Sequence, residues 1–107
     1  MLAPTDRQIV ERFKSLMAER GLPVLETIVF GSRARGDCDE ESDLDILVLV
    51  SQRTREIVDA VRDCAWEIGF DSNRYIQTVI RSKDEVENTP LRSSLLMLAV
   101  QAEGISV

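Results

Sequence analysis

The chain has 107 residues, 44% of them hydrophobic and 30% charged, with a formal net charge of −6. That length suits one domain spanning residues 1–107, and the balance of apolar and charged residues excludes a disordered chain. The acidic excess excludes a broad nucleic-acid surface, which needs clustered Lys and Arg to neutralise phosphates, but leaves room for a local site that takes a nucleotide's phosphates.

Histidine is missing, so Ser-His and Cys-His nucleophilic dyads and histidine zinc sites are excluded. The two cysteines, Cys38 and Cys64, lack close metal-type spacing and are expected as unpaired thiols. No apolar run approaches the ~20 residues of a membrane span and no charged-then-apolar leader opens the chain. The expected location is the cytoplasm, with no membrane contact.

In chain order, helical spacing of Ile9, Val10, Phe13, Leu16 and Met17 predicts a helix from Asp6 to Glu19, capped by Thr5 and stopped by Gly21 and Pro23. Val24 to Phe30, partly β-branched and ending at Gly31, predicts a buried strand. After a polar loop, Leu44 to Val50 predicts a second, more apolar strand. Arg53 to Ile68 predicts a helix with Ile57, Val61, Cys64, Ala65 and Ile68 on one face and Gly69 as its stop. Trp66 on that helix reads as a packing or interface residue. Tyr75 to Ile80 predicts a third strand, Ser82 to Asn88 a polar turn, and Leu91 to Ala102 a last helix ended by Gly104. This order predicts a small mixed sheet with flanking helices, an α/β or α+β domain.

The chemistry concentrates between Gly31 and Asp45. Side chains alternate along a strand, so Asp43 and Asp45 point to one face at the entry of the second strand. Two carboxylates about 5 Å apart repel by roughly 3 kcal/mol at an effective dielectric near 20, and a divalent cation shared between them relieves this. Few hard oxygen ligands suit Mg2+, or Mn2+, which takes further oxygens from phosphates. Ahead of the pair, Gly31 permits a tight turn and close approach of a phosphate. Ser32 offers a hydroxyl and backbone N–H groups to an anion, and Arg33 and Arg35 add positive charge. Asp37, Asp39, Glu40 and Glu41 read as a solvated loop face. Leu47 and Leu49 continue the face of the two aspartates, so that face is expected to be covered beyond the site by the last helix or another chain.

Gly31-Ser32, ten intervening residues, then Asp43-Leu44-Asp45 resembles the signature of the DNA polymerase beta-like nucleotidyltransferase superfamily. The wording GSRARGDCDEESDLDILV is most similar to its minimal nucleotidyltransferase branch. The resemblance implies transfer of a nucleoside monophosphate, usually AMP from ATP, to an acceptor hydroxyl on a partner protein or small molecule. Gly31, Ser32 and Arg35 would bind the nucleotide, and Asp43 and Asp45 would ligate the metal and carry catalysis. It also implies a partner, a small helical HEPN-type protein that an antitoxin of this branch adenylylates, or a homo-oligomer.

The chain departs from the family at one point. Active members carry a third carboxylate on the strand after the next helix, where this chain reads Arg74-Tyr75-Ile76-Gln77-Thr78-Val79-Ile80. Gln77 and Tyr75 offer only neutral oxygens, and Asp71 precedes the strand in what reads as a turn. The expectation is nucleotide binding with weak or no transfer by this chain alone. The alternative expectation is a nucleotide- or partner-binding module, such as an antitoxin that acts on its toxin by contact.

Overall fold

The computed structural model describes residues 2–36, 43–88 and 95–107, with the side chains of Ser32 and Leu95 outside that set. Its elements, in order, are α1 (Pro4–Glu19), β1 (Val24–Phe30), α2 (Ser32–Arg35), β2 (Leu44–Val50), α3 (Arg55–Ser72), β3 (Ile76–Ser82), α4 (Lys83–Asn88), α5 (Leu95–Glu103) and β4 (Ile105–Ser106). The four strands form one mixed sheet in the order β3-β2-β1-β4. β1 runs antiparallel to β2 and to β4, and β2 runs parallel to β3. Parallel neighbours need a crossover, which α3 supplies. No described helix is long and apolar enough to cross a membrane.

The sheet has an apolar layer on each face. On one face Val29, Ile46 and Val48 meet Val10, Phe13 and Met17 of α1 and Val61, Cys64 and Ala65 of α3, all buried. On the other, Phe30 and Leu47 meet Met97 and Val100 of α5. Strand alternation explains the split, because Leu44, Ile46 and Val48 face α1 and α3 while Asp45 and Leu47 face the opposite way. The last helix therefore covers the aspartate face beyond the site. Truncating Phe13, fully buried at the centre of the larger layer, would cost about 3–5 kcal/mol.

Both early strands keep their expected bounds, β3 runs Ile76–Ser82 rather than Tyr75 to Ile80, and the other differences lie mainly at helix ends. α1 begins at Pro4 rather than after Thr5, with Ala3 extended ahead of it and no side-chain cap. Proline's missing N–H and preset φ suit the first helical turn and remove one of the donors that a cap would otherwise satisfy. α3 starts at its cap Thr54, whose Oγ1 accepts from the Ile57 N–H at 3.2 Å, and runs on to Asn73 in the left-handed region. Gly69 thus lies inside the helix. A Cβ there would stand 2.6 Å from the Arg74 carbonyl oxygen, so Gly69 admits the chain as it turns back into β3.

The expected polar turn after β3 is α4, opened by a reciprocal capping box. The Ser82 N–H donates to Glu85 Oε1 and the Glu85 N–H donates to Ser82 Oγ, each at 3.1 Å. Residues 91–94, the expected start of the last helix, lie outside the described residues. That helix ends by Gly104 as expected, and the chain then adds the short edge strand β4 against Ile28 and Val29.

Candidate active site

β1 and β2 deliver the two halves of the site to one end of the sheet. Their antiparallel register sets Phe30 opposite Asp45, so the turn that leaves β1 at Gly31 begins beside the aspartate strand. Gly31 has φ +77°, and a Cβ built there would collide with the Asp45 carboxylate. Glycine is required twice over, by the left-handed backbone and by the contact. The Arg35 N–H donates to the Gly31 carbonyl at 3.1 Å, closing the single turn of α2. Ser32 opens that turn.

Asp43 is exposed just before β2, and Asp45 is half-buried one pleat further in. Burial pushes the Asp45 carboxyl above the ordinary aspartate range, the negative Asp43 raises it further, and Arg35 partly offsets both. Arg35 donates to both carboxylate oxygens of Glu103 on α5, at 3.0 and 3.1 Å. It is therefore anchored at the edge of the site with its charge felt at Asp45.

Arg33 goes elsewhere. It is buried with Asp6 of α1, Nη1 to Oδ2 3.3 Å, so of the two loop arginines only Arg35 carries charge towards the aspartates. Asp6 Oδ1 is buried without a hydrogen bond from any described residue. This ion pair fastens α2, and hence the Gly31 turn, to α1. Neither partner carried a sequence signal for it, since Asp6 passes for an ordinary acidic residue in a first helical turn. Glu103 was missed for a similar reason, as a lone acid near a chain end.

The third strand brings a neutral side chain to the aspartates. In the parallel register Asp45 pairs with Gln77, and paired residues project to the same face. One step back, the Leu44 N–H donates to the Tyr75 carbonyl at 3.0 Å, which puts exposed Tyr75 level with Asp43. Asp71 belongs to the last turn of α3 and pairs with Arg12 of α1 at 3.6 Å, on the opposite side of the sheet. Among the described residues no third Asp, Glu, Cys or His joins the pair as a metal-binding group. Cys38 lies outside the described residues, and Cys64 is a buried free thiol in the core.

A glycine turn, a paired aspartate entry and this strand order form one continuous pattern, and a family model for the nucleotidyltransferase domain matches residues 7–99. The chain belongs to the nucleotidyltransferase-domain family. A candidate protein adenylyltransferase of Methanocaldococcus jannaschii is 44% identical over 46 residues, 42% of this chain and 46% of that protein, so the match spans about half of the relative. Two solved structures share the fold. A toxin–antitoxin complex with AMP-PNP superposes with a TM-score of 0.63 at 21% identity, over 90% of this chain and 69% of that one. The MNT antitoxin with tri-AMPylated HEPN toxin of Shewanella oneidensis gives 0.58 at 18%, over 94% and 70%. Within this domain, the Gly31 turn and the Asp43–Asp45 entry lie in contact, and Gln77 stands in register with Asp45.

Proposed function

We propose that the chain binds a metal–nucleoside triphosphate, ATP, at Gly31, Ser32, Arg35, Asp43 and Asp45, and passes its nucleoside monophosphate to a hydroxyl of a partner protein or small molecule in the cytoplasm. One observation carries this reading. The Gly31 backbone lies against the Asp45 carboxylate, so a triphosphate on the turn would lie beside the aspartates. Asp45's raised carboxyl and its negative neighbour form a site whose charge asks for a cation, and hard carboxylate oxygens suit Mg2+ or Mn2+. When bound, that ion would supply charge neutralisation for the phosphates and the leaving group.

The chain's own contributions are position and charge. The Gly31 turn admits phosphate oxygens to the main chain, and Arg35, steadied by Glu103, adds positive charge without wandering. In the transfer, the acceptor oxygen bonds to the α-phosphorus as the bridging bond to the β-phosphate breaks. Diphosphate leaves and the hydroxyl proton is released.

The resemblance supports a helical HEPN-type protein as the partner. A second reading is favoured by Gln77. A neutral amide in register with Asp45 neither anchors a second ion nor takes the acceptor's proton. On that reading the chain holds nucleotide and partner with weak or no transfer, as an antitoxin acting by contact. Calorimetry with ATP in Mg2+ and in EDTA tests the shared core of both readings. Tight binding only with metal is expected, and equal affinity in EDTA removes the site.

A further inference from the structure

The turn that follows Gly31 is too short to hold its own orientation. α2 has four residues, well below the ~12–15 at which an isolated helix becomes even marginal in water, so its setting depends on what its side chains grip. Arg33 and Ala34 are buried, and Arg35 is exposed. Ala34 sits in the larger apolar layer, and Arg33 Nη1 reaches Asp6 Oδ2 at 3.3 Å. Residues two apart on a helix lie about 200° apart around its axis. Turning Arg33 inwards to α1 therefore turns Arg35 outwards, to Glu103 and the neighbourhood of Asp45.

As a source of stability the Asp6–Arg33 pair is a poor choice. Both side chains have left water, at 2% and 6% exposure. Oδ2 of Asp6 takes the guanidinium, whereas Oδ1 is buried without a hydrogen bond from any described residue. An ion pair desolvated this far repays its cost only with good geometry and satisfied lone pairs, and apolar residues of similar volume commonly do as well or better. What an apolar pair lacks is direction, because repacked cores lose uniqueness before they lose stability. Asp6 also stands in the first turn of α1, where the helix dipole favours a negative charge. The pair thus suits a point that must be held in one orientation.

We infer that Asp6 and Arg33 are positioning residues of the nucleotide site, fixing the rotation of the Gly31 turn so that its main chain and Arg35, rather than Arg33, face the phosphates beside Asp43 and Asp45. The inference rests on the proposed nucleotide site and adds to it two residues that act through the turn. It separates binding from stability. An apolar pair in their place would keep the fold and lose affinity, whereas a pair with a purely structural role would cost nothing in binding once stability was restored.

The test compares the parent with the doubly substituted Asp6→Leu, Arg33→Met chain and with Asp6→Asn, which keeps the volume and a neutral acceptor. Urea unfolding measures stability. Amide hydrogen exchange in EDTA reads the turn without ligand, through the Arg35 N–H that donates to the Gly31 carbonyl at 3.1 Å. Mg–ATP calorimetry reads the site. The double variant is expected to unfold near the parent's urea midpoint and to exchange the Arg35 amide about tenfold faster, with Val48 in β2 unchanged. Its Mg–ATP affinity is expected to fall about tenfold. Asp6→Asn should lie between the two chains, and it alone decides, on changes of about threefold or more in both readouts, if the double variant does not fold. Affinity within about twofold of the parent in a folded double variant, or weaker binding with Arg35 exchange unchanged, would overturn the inference. Failure of the parent to bind Mg–ATP removes the nucleotide reading instead, and the Arg35 exchange rates then decide whether the pair holds the turn.

Discussion

Replacing Gly31 by alanine should damage folding and nucleotide binding together, and Gly21 supplies the control that separates the causes. Both glycines have positive φ, +69° at Gly21 and +77° at Gly31. An added Cβ meets nothing within 4 Å at Gly21, but collides with the Asp45 carboxylate at Gly31. Left-handed backbone costs a non-glycine residue about 1–2 kcal/mol, which is the whole effect expected of Gly21→Ala. Gly31→Ala carries the same strain and must also turn Asp45 away from its rotamer, a further ~0.5–1.5 kcal/mol. The total is about 1.5–3.5 kcal/mol, and each kcal/mol lowers Tm by roughly 4–8 °C in a domain of this size.

Binding discriminates more sharply than stability. A displaced Asp45 no longer shares a cation with Asp43, and losing one charge-assisted contact costs about 1.5–3 kcal/mol, on the order of ten- to a hundredfold in affinity. Thermal melts in EDTA followed by Mg–ATP calorimetry on both variants provide the assay. Gly21→Ala should melt lower and bind normally, while Gly31→Ala should melt lower still and bind weakly. If folded Gly31→Ala binds Mg–ATP within twofold of the parent, the contact between the turn and the aspartate has no part in the site.

Further outcomes follow from the same contacts. Asp6→Ala strips buried Arg33 of its carboxylate and should cost about 3 kcal/mol or more in urea unfolding, while an apolar replacement of both partners should recover most of it. Asp45 has a raised carboxyl in the fold, so its ionisation opposes folding. That penalty is absent below the unfolded aspartate value of about 3.9 and complete once pH passes the raised folded value. Asp45→Asn should therefore melt above the parent at pH 7 in EDTA, with the gap closing as pH falls towards about 4, and a constant gap would contradict the burial argument. Gln77→Glu should raise nucleotidyl transfer to the partner, by up to the 10²–10⁴-fold that a general base commonly contributes. Labelled ATP reads the change, and strong transfer by the unaltered chain would remove the need for an acid at this position.

The sheet and the heart of the site were legible because their signals are local. β1 and β2 are short apolar runs bounded by Gly31 and Asp43, and glycine and aspartate are poor strand residues. The Asp43-Leu44-Asp45 spacing projects both carboxylates to one face by strand period alone. What escaped depends on partners distant in sequence. Arg33 read as positive charge beside the phosphate turn, whereas Asp6, 27 residues away, holds it in a buried ion pair. Gly69 looked like a helix stop, but the demand on it comes from the Arg74 carbonyl of the returning chain. The two-residue β4 is created by pairing with β1 rather than by its own propensity. α4 is different, since its capping box Ser82-x-x-Glu85 was written in the sequence and was read as a turn because no apolar stripe follows it.

The pairing of Gln77 with Asp45 bears on how stable the site would be with an acid in Gln77's place. Asp45 already bears burial and the Asp43 charge, offset only in part by Arg35. A carboxylate at the register-paired position, about 5 Å away in a parallel sheet, would add roughly 3 kcal/mol of repulsion at an effective dielectric near 20. Only bound cations would return that energy, so a chain that spends much of its time without metal is more stable with an amide there. On the proposed reading, the amide keeps the strand's volume and would leave a first cation its two aspartates, without the charge that would hold a second. On that reading the missing charge would weaken transfer more than nucleotide binding, with the glycine turn, Arg35 and the aspartate pair in place around the position where Gln77→Glu would add an acid.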